Sequence, residues 1–209
     1  MAPITTDAYL QAVKFRRTVY PLTNKSPVSD ARIEEIVQGV IGSSPSSYNT
    51  QSTRVLVLLG AQHEKLWDLV REHALPLLQG AGEDVVKSME GRFSMFRAAY
   101  GSVLFFENKA TVDEAAKTHA AVAGMFPQWS EHASAMAQVQ LWTALELEGL
   151  GANLQHMNAF PPVAAAIRKQ WDLPEAWILT AHLNFGTVNG EFPEHPKKLP
   201  FSETVKVAK

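Results

Sequence analysis

The chain has 209 residues, 46% of them apolar and 19% charged, and its 19 Lys+Arg against 21 Asp+Glu leave a formal charge of -2. A single domain of this length buries on the order of 70% of its extended surface, so it needs neither disulfides nor a structural metal, and with no cysteine it has no thiol chemistry. The near-zero charge disfavours nucleic acid and anionic membranes as partners, and no apolar run approaches the roughly 18 to 20 residues that cross a bilayer.

The first residues place Arg16-Arg17 after a short amphipathic stretch, with neither the apolar core nor the cleavage site of a secretory signal, so the expected compartments are the cytoplasm and the nucleus. Thr5 or Thr6 caps a helix over 7–15 with Tyr9, Leu10 and Val13 on one face. Ser29 or Asp30 starts a second, in which Ile33, Ile36, Val37, Val40 and Ile41 keep helical spacing. The hydroxyl-rich stretch from Gly42 to Ser47 breaks it, and Arg54 to Leu59 reads as a buried strand. A helix over 63–74 is expected to end at Pro76, and another follows over 83–99. Ser102 to Glu107 forms the second strand, and helices over 111–124 and 131–149 come next. The latter carries Met136, Val139, Leu141, Trp142, Leu145 and Leu147 nearly all round its circumference, the mark of a helix buried in a core or an interface. Pro161-Pro162 opens a helix to 171, Ala176 to Leu183 gives a third strand, and the tail from Gly186 is irregular. Helices around a few strands, with no repeat or linker, make a single α+β domain over 1–209.

Several chemistries fail on spacing. His63-Glu64 begins like the zinc-protease helix, but the position that needs a second His is Trp67, and the seven His residues form no ligand set, so no metal is expected. Gly149-Leu150-Gly151-Ala152-Asn153-Leu154 imitates a dinucleotide fingerprint, yet it follows a helix and lacks the third glycine, so Gly149 or Gly151 reads as a helix C-cap. Arg16-Arg17 and Lys197-Lys198 remain, each open to a plain reading as helix-dipole or solvated charge. Taken with the hydroxyl-rich loop over 43–53, they suit a phosphorylated cofactor, whose ester takes cationic donors and whose polar ring edge takes amides and hydroxyls.

Three short motifs in order resemble the FMN-dependent nitroreductases, and within them a fungal and bacterial branch of small nitro-compound-reducing enzymes. They are Arg16-Arg17-Thr18-Val19-Tyr20, the loop Pro45-Ser46-Ser47-Tyr48-Asn49-Thr50-Gln51, and Pro196-Lys197-Lys198-Leu199-Pro200. The stretch from Gly149 to His156 resembles the segment that runs beside the flavin in that branch. Departures stand at Tyr20, at Ser52-Thr53 and around Leu154 to Met157, where the family has a third basic residue, Pro-Trp and Pro-x-Glu-Gly. The resemblance implies a nitroreductase-like α+β fold, with a central mixed or antiparallel sheet surrounded by helices, in an interleaved homodimer holding FMN at the subunit interface. By the same resemblance, Arg16, Lys198 and Lys197 hold the phosphate, and Arg17 and Thr18 contact the phosphate or the flavin edge. Ser46, Ser47, Asn49 and Gln51 meet the flavin and ribityl chain, usually from the partner subunit, and Leu154, Gln155 and His156 line the ring. The implied activity is ping-pong transfer of a hydride from NADH or NADPH through flavin N5 to a nitroaromatic or quinone. No side-chain acid is required, His156 being the one candidate, and a non-catalytic FMN-binding redox sensor in stress or lipid signalling is the alternative.

Overall fold

The computed structural model describes residues 5–209. Helix α1 (Thr6–Phe15) is capped by Thr5, whose Oγ1 accepts the Ala8 N–H at 3.1 Å, and α2 (Asp30–Ser43) is capped in the same way by Ser29. Between them lies the two-residue strand β1 (Leu22–Thr23). The remaining elements are β2 (Thr53–Leu59), α3 (Ala61–Leu78), α4 (Glu83–Arg97), β3 (Gly101–Asn108), α5 (Lys109–Thr118), α6 (Phe126–Leu147), β4 (Gly151–Gln155), α7 (Pro161–Gln170), β5 (Trp177–Val188) and α8 (Phe201–Thr204).

Every strand pairing is antiparallel, in the order β1-β5-β3-β2, with β4 also on β5. Strand alternation then assigns the two faces. Leu58, Leu104, Phe106 and Leu179 point towards α3, α4 and α7, where Leu66, Trp67, Val70, Phe93, Phe96, Val163 and Ile167 complete one apolar cluster. Val103, Phe105, Ala181, Leu183 and Phe185 point the other way, onto Ile33 and Val37 of α2 and Ala137, Leu141 and Leu145 of α6. Each large side chain fully buried in these clusters stabilises the fold by roughly 1.5–3 kcal/mol. An extra residue in β5, Thr180, bulges opposite Phe105 and Phe106, and its hydroxyl donates to the Phe105 carbonyl at 3.0 Å.

The expected helices and strands are present, with boundary corrections. Pro76 lies inside α3 and does not end it, because it falls on the exposed side of the last turns, where a missing donor leaves no buried carbonyl. The helix expected over 111–124 stops at Thr118 and continues as a 3-10 stretch, Ala120–Met125. Helix α6 starts five residues earlier than expected, with Pro127 in its first turn, a position that needs no N–H donor. Gly149, at φ +88, is the residue that ends α6, whereas Gly151 opens a strand. The third strand also extends to Val188, because its last residues pair with β1 and β4. Gly186 sits where these strands converge, and a Cβ there would run into the Thr23 carbonyl oxygen.

Candidate cofactor site

The segment after α1 is stitched to the outer edge of β4. Val19 N–H donates to the Ala152 carbonyl at 2.8 Å, and Asn153 Nδ2 donates to the Val19 carbonyl at 2.9 Å. Asn153 Oδ1 also accepts from Gln155 Nε2 at 2.9 Å and from Asn184 Nδ2 at 3.1 Å. One buried amide therefore holds the Arg16–Thr18 motif, β4 and the sheet interior together. Beyond Ala152 the outer edge of β4 has no strand partner among the described residues, so the Leu154 backbone stays open to a ring edge.

Arg16 is half-buried, with its guanidinium over the Trp142 ring at 4.4 Å from the centroid. Arg17 bends back onto the end of α1, where Nη1 donates to the carbonyls of Phe15 at 2.9 Å and Arg16 at 3.0 Å, and also to that of Lys14. Its guanidinium thus fills the helix-capping role that a basic pair in a last turn invites. The Arg17 backbone N–H donates to Glu146 Oε2 at 2.8 Å, and Trp142 Nε1 donates to Glu146 Oε1 at 2.8 Å and to the Arg17 carbonyl at 3.0 Å. Burial pushes the Glu146 carboxyl up to about 7 against these donors and the charges of Arg16 and Arg17.

The C-terminal tail crosses the same end of α1. Phe192 stacks on Phe15 at 5.2 Å between centroids, and His195 Nε2 donates to the Lys14 carbonyl. Lys197 and Lys198 follow on exposed chain, two and three residues past that contact. The first and third motifs therefore meet at one place in the fold.

The second motif lies elsewhere. Ser46 Oγ accepts the Gln51 N–H at 2.8 Å, and Tyr48, Asn49 and Gln51 all take positive φ near +50, a strained conformation for side chains other than glycine. The loop is anchored by Glu107, which accepts from Ser52 Oγ and, at 2.7 Å, from Thr53 Oγ1; burial raises its carboxyl. Ser46 and Ser47 border Phe126, Trp129, Ser130 and Ala133 of α6 around a small cavity. From Ala133 to Trp142 is nine positions, which is about 14 Å along the helix and half a turn round it. Within one chain, then, Ser46, Ser47, Asn49 and Gln51 are not brought to Arg16; the two sets flank α6 on opposite sides. Between them, at about 240–320° round from Ala133, lie the exposed Met136, Val139 and Leu147.

Strand alternation also divides the expected ring-lining residues. Leu154 packs into the α6-side cluster, Gln155 turns to the α3 side, and His156 is exposed just past the strand. Three contributors were not singled out from the sequence: Trp142, Glu146 and Asn153. The i, i+4 pair of Trp142 with Glu146 near the end of α6 was the available signal.

Comparison with known proteins places these features. The nitroreductase family model matches residues 13–187. The nitroreductase FRM2 of Saccharomyces cerevisiae is 35% identical over 183 residues, covering 87% of this chain and 88% of that protein. The nitroreductase CinD of Lactococcus lactis, solved with nicotinic acid, superimposes with a TM-score of 0.85 at 35% identity over 96% of this chain and 100% of its own. CinD solved with 4-nitrophenol gives 0.83 at 36% identity over the same shares.

Proposed function

As the chain belongs to the nitroreductase family, we propose that it is an FMN-dependent, NAD(P)H-consuming reductase of nitroaromatic or quinone-type acceptors, acting as a homodimer. The observation that carries this reading is the pair of donor sets on either side of one exposed apolar flank of α6. A second copy packed on Met136, Val139 and Leu147 would set its own Ser46–Gln51 loop against the first copy's Arg16. Helix α1 points the same way, since it buries none of its residues and leaves Tyr9 64% exposed.

The donor set fits a flavin mononucleotide. Arg16, steered by Trp142, together with Lys198 and Lys197 would hold the phosphate, while the Arg17 side chain is spent on capping α1 and Thr18 faces the same solvent-open side. The partner's loop would bring Ser46, Ser47, Asn49 and Gln51 to the ribityl chain and the ring's polar edge, and the open edge of β4 would take the other ring edge through its backbone. When bound, FMN supplies the redox chemistry, taking a hydride from NADH or NADPH and passing electrons to the acceptor in turn. The chain's own part is to orient the ring and aim backbone N–H groups at it, and no side-chain acid of the site is needed. Nicotinic acid and 4-nitrophenol on CinD are the donor-like and acceptor-like flat rings this reading expects.

The test is the visible spectrum of the purified protein, followed by anaerobic NADH and, separately, NADPH. A yellow protein that bleaches and is reoxidised by a nitroaromatic or quinone upholds the reductase and ranks its donors. A flavin that stays oxidised marks a redox sensor instead. A colourless protein that takes up no added FMN overturns the cofactor assignment.

A further inference from the structure

Glu146 is a carboxyl inside the proposed phosphate site for which that reading has no use. It is 1% exposed, in the last turn of α6, and it accepts from Arg17 N–H and Trp142 Nε1, each at 2.8 Å. The same indole carries the Arg16 guanidinium on its face and donates to the Arg17 carbonyl, so Glu146 braces both ends of the basic pair. The charges acting on it are Arg16 and Arg17 from the segment after α1. The nearest acid along the chain, Glu148, caps the end of α6, about 200° round the helix, and is paired with Arg32 at 2.6 Å. The strand beside it contributes Ala152 and Asn153, neither of them charged.

Resting on the FMN reading above, we propose that Glu146 is the internal counter-ion of this site, a positioning residue that balances Arg16 and Arg17 while no phosphate is present and takes up one proton when a phosphate monoester dianion arrives. The balance is simple. A dianion and a Glu146 carboxylate repel one another and compete for Arg16, and the pair relaxes when one proton leaves solvent and neutralises the carboxyl. Burial has already brought Glu146 to about 7, and repulsion from the dianion raises it further. The neutral acid keeps one oxygen as acceptor for the Arg17 N–H, so the segment holds its place while its positive charge passes to the ligand.

Calorimetric titration of FMN into the flavin-free full-length protein tests this at about pH 8.5, where the ligand's phosphate is already a dianion. Running it in two buffers of different ionisation enthalpy counts the protons. The expected result is uptake approaching one proton per FMN by the wild type, none by Glu146→Gln, and none on binding riboflavin, which lacks the phosphate. Between about pH 7 and 9 the wild-type affinity should fall by about tenfold per pH unit at its steepest, and that of Glu146→Gln should stay level. FMN binding without proton uptake by the wild type overturns the role of Glu146 and leaves the cofactor assignment standing, an outcome that needs no variant to fold. Equal pH dependence in Glu146→Gln overturns it as well. A wild type that takes up no FMN overturns the cofactor assignment first, and this inference with it.

Discussion

The two helical layers on the sheet are built from similar residues and end differently. On one side, α3 buries His63, Leu66, Trp67, Val70 and Ala74 under α4 and α7, and the polar atoms there answer one another: His63 Nδ1 meets Ser102 Oγ at 2.9 Å, while Ser102 Oγ at 2.7 Å and Trp67 Nε1 at 3.2 Å donate to Asn184 Oδ1. On the other side, α6 buries Ala137, Leu141 and Leu145 in an apolar cluster, with Ser134 and Glu146 buried beside them, and leaves Val139 48% and Leu147 60% exposed. A helix's share of apolar residues thus does not tell an interior from an interface. What marks the open side is the set of apolar residues with nothing over them.

That contrast can be broken most forcefully at Trp67. Trp67→Ala removes the largest fully buried side chain of the closed side and one of the two donors to Asn184 Oδ1, and should cost about 3–5 kcal/mol in denaturant unfolding. A loss under about 1 kcal/mol would show that this side is no better filled than the other. Acid attacks the closed side next. Burial lowers His63 to about 4 and His182 to about 3. The unfolded chain therefore takes up these protons first as pH falls, so stability is full above about 6.5 and lost towards 4 for His63 and towards 3 for His182, by roughly 3 kcal/mol for His63 alone. A His63→Asn variant whose acid transition is as steep as the parent's would contradict this.

The open side should answer in binding before it answers in stability. Arg16→Ala should weaken FMN retention at least tenfold, about 1.4 kcal/mol, with an unchanged unfolding midpoint. Full flavin content in that variant would remove Arg16 from the site. Val139→Glu is the mildest change for the single chain, within about 0.5 kcal/mol, yet it should move the protein from dimer to monomer on sedimentation. An unaltered sedimentation coefficient would place the dimer contact elsewhere.

Much of this was legible in the residues. The spacing of Ile33, Ile36, Val37, Val40 and Ile41 behind Ser29 is a helix wherever it is read, and Val103 to Phe106 is a strand for the same local reasons. Strand β4 was not legible, because Gly151-Ala152-Asn153 has little preference for extended structure and becomes a strand through its pairing with β5, about 30 positions on. The site divides in the same way. Arg16 and the Ser46–Gln51 loop announce their chemistry through residue type, whereas Glu146 is tied to Arg17 across 129 positions, a link that only the folded chain makes. The placing of the loop on the far side of α6 from Arg16 was beyond motif reading too, since a motif records order along the chain and not the side of a helix it falls on.

Among the described residues, strand β5 is the partner of β1, β3 and β4 alike, and β2–β3 is the one strand pairing that does without it. A ribosome delivers chains at about 5–20 residues per second, so roughly ten seconds pass between the emergence of β2 and that of Val188. Once β3 is out, the nascent chain can pair it with β2 and form its early helices, but Phe105 and Val103 have no second strand beside them. Birth is therefore the hazardous stage of this protein's life, and its yield in a cell should depend on whatever shelters a half-made sheet until the last strand arrives.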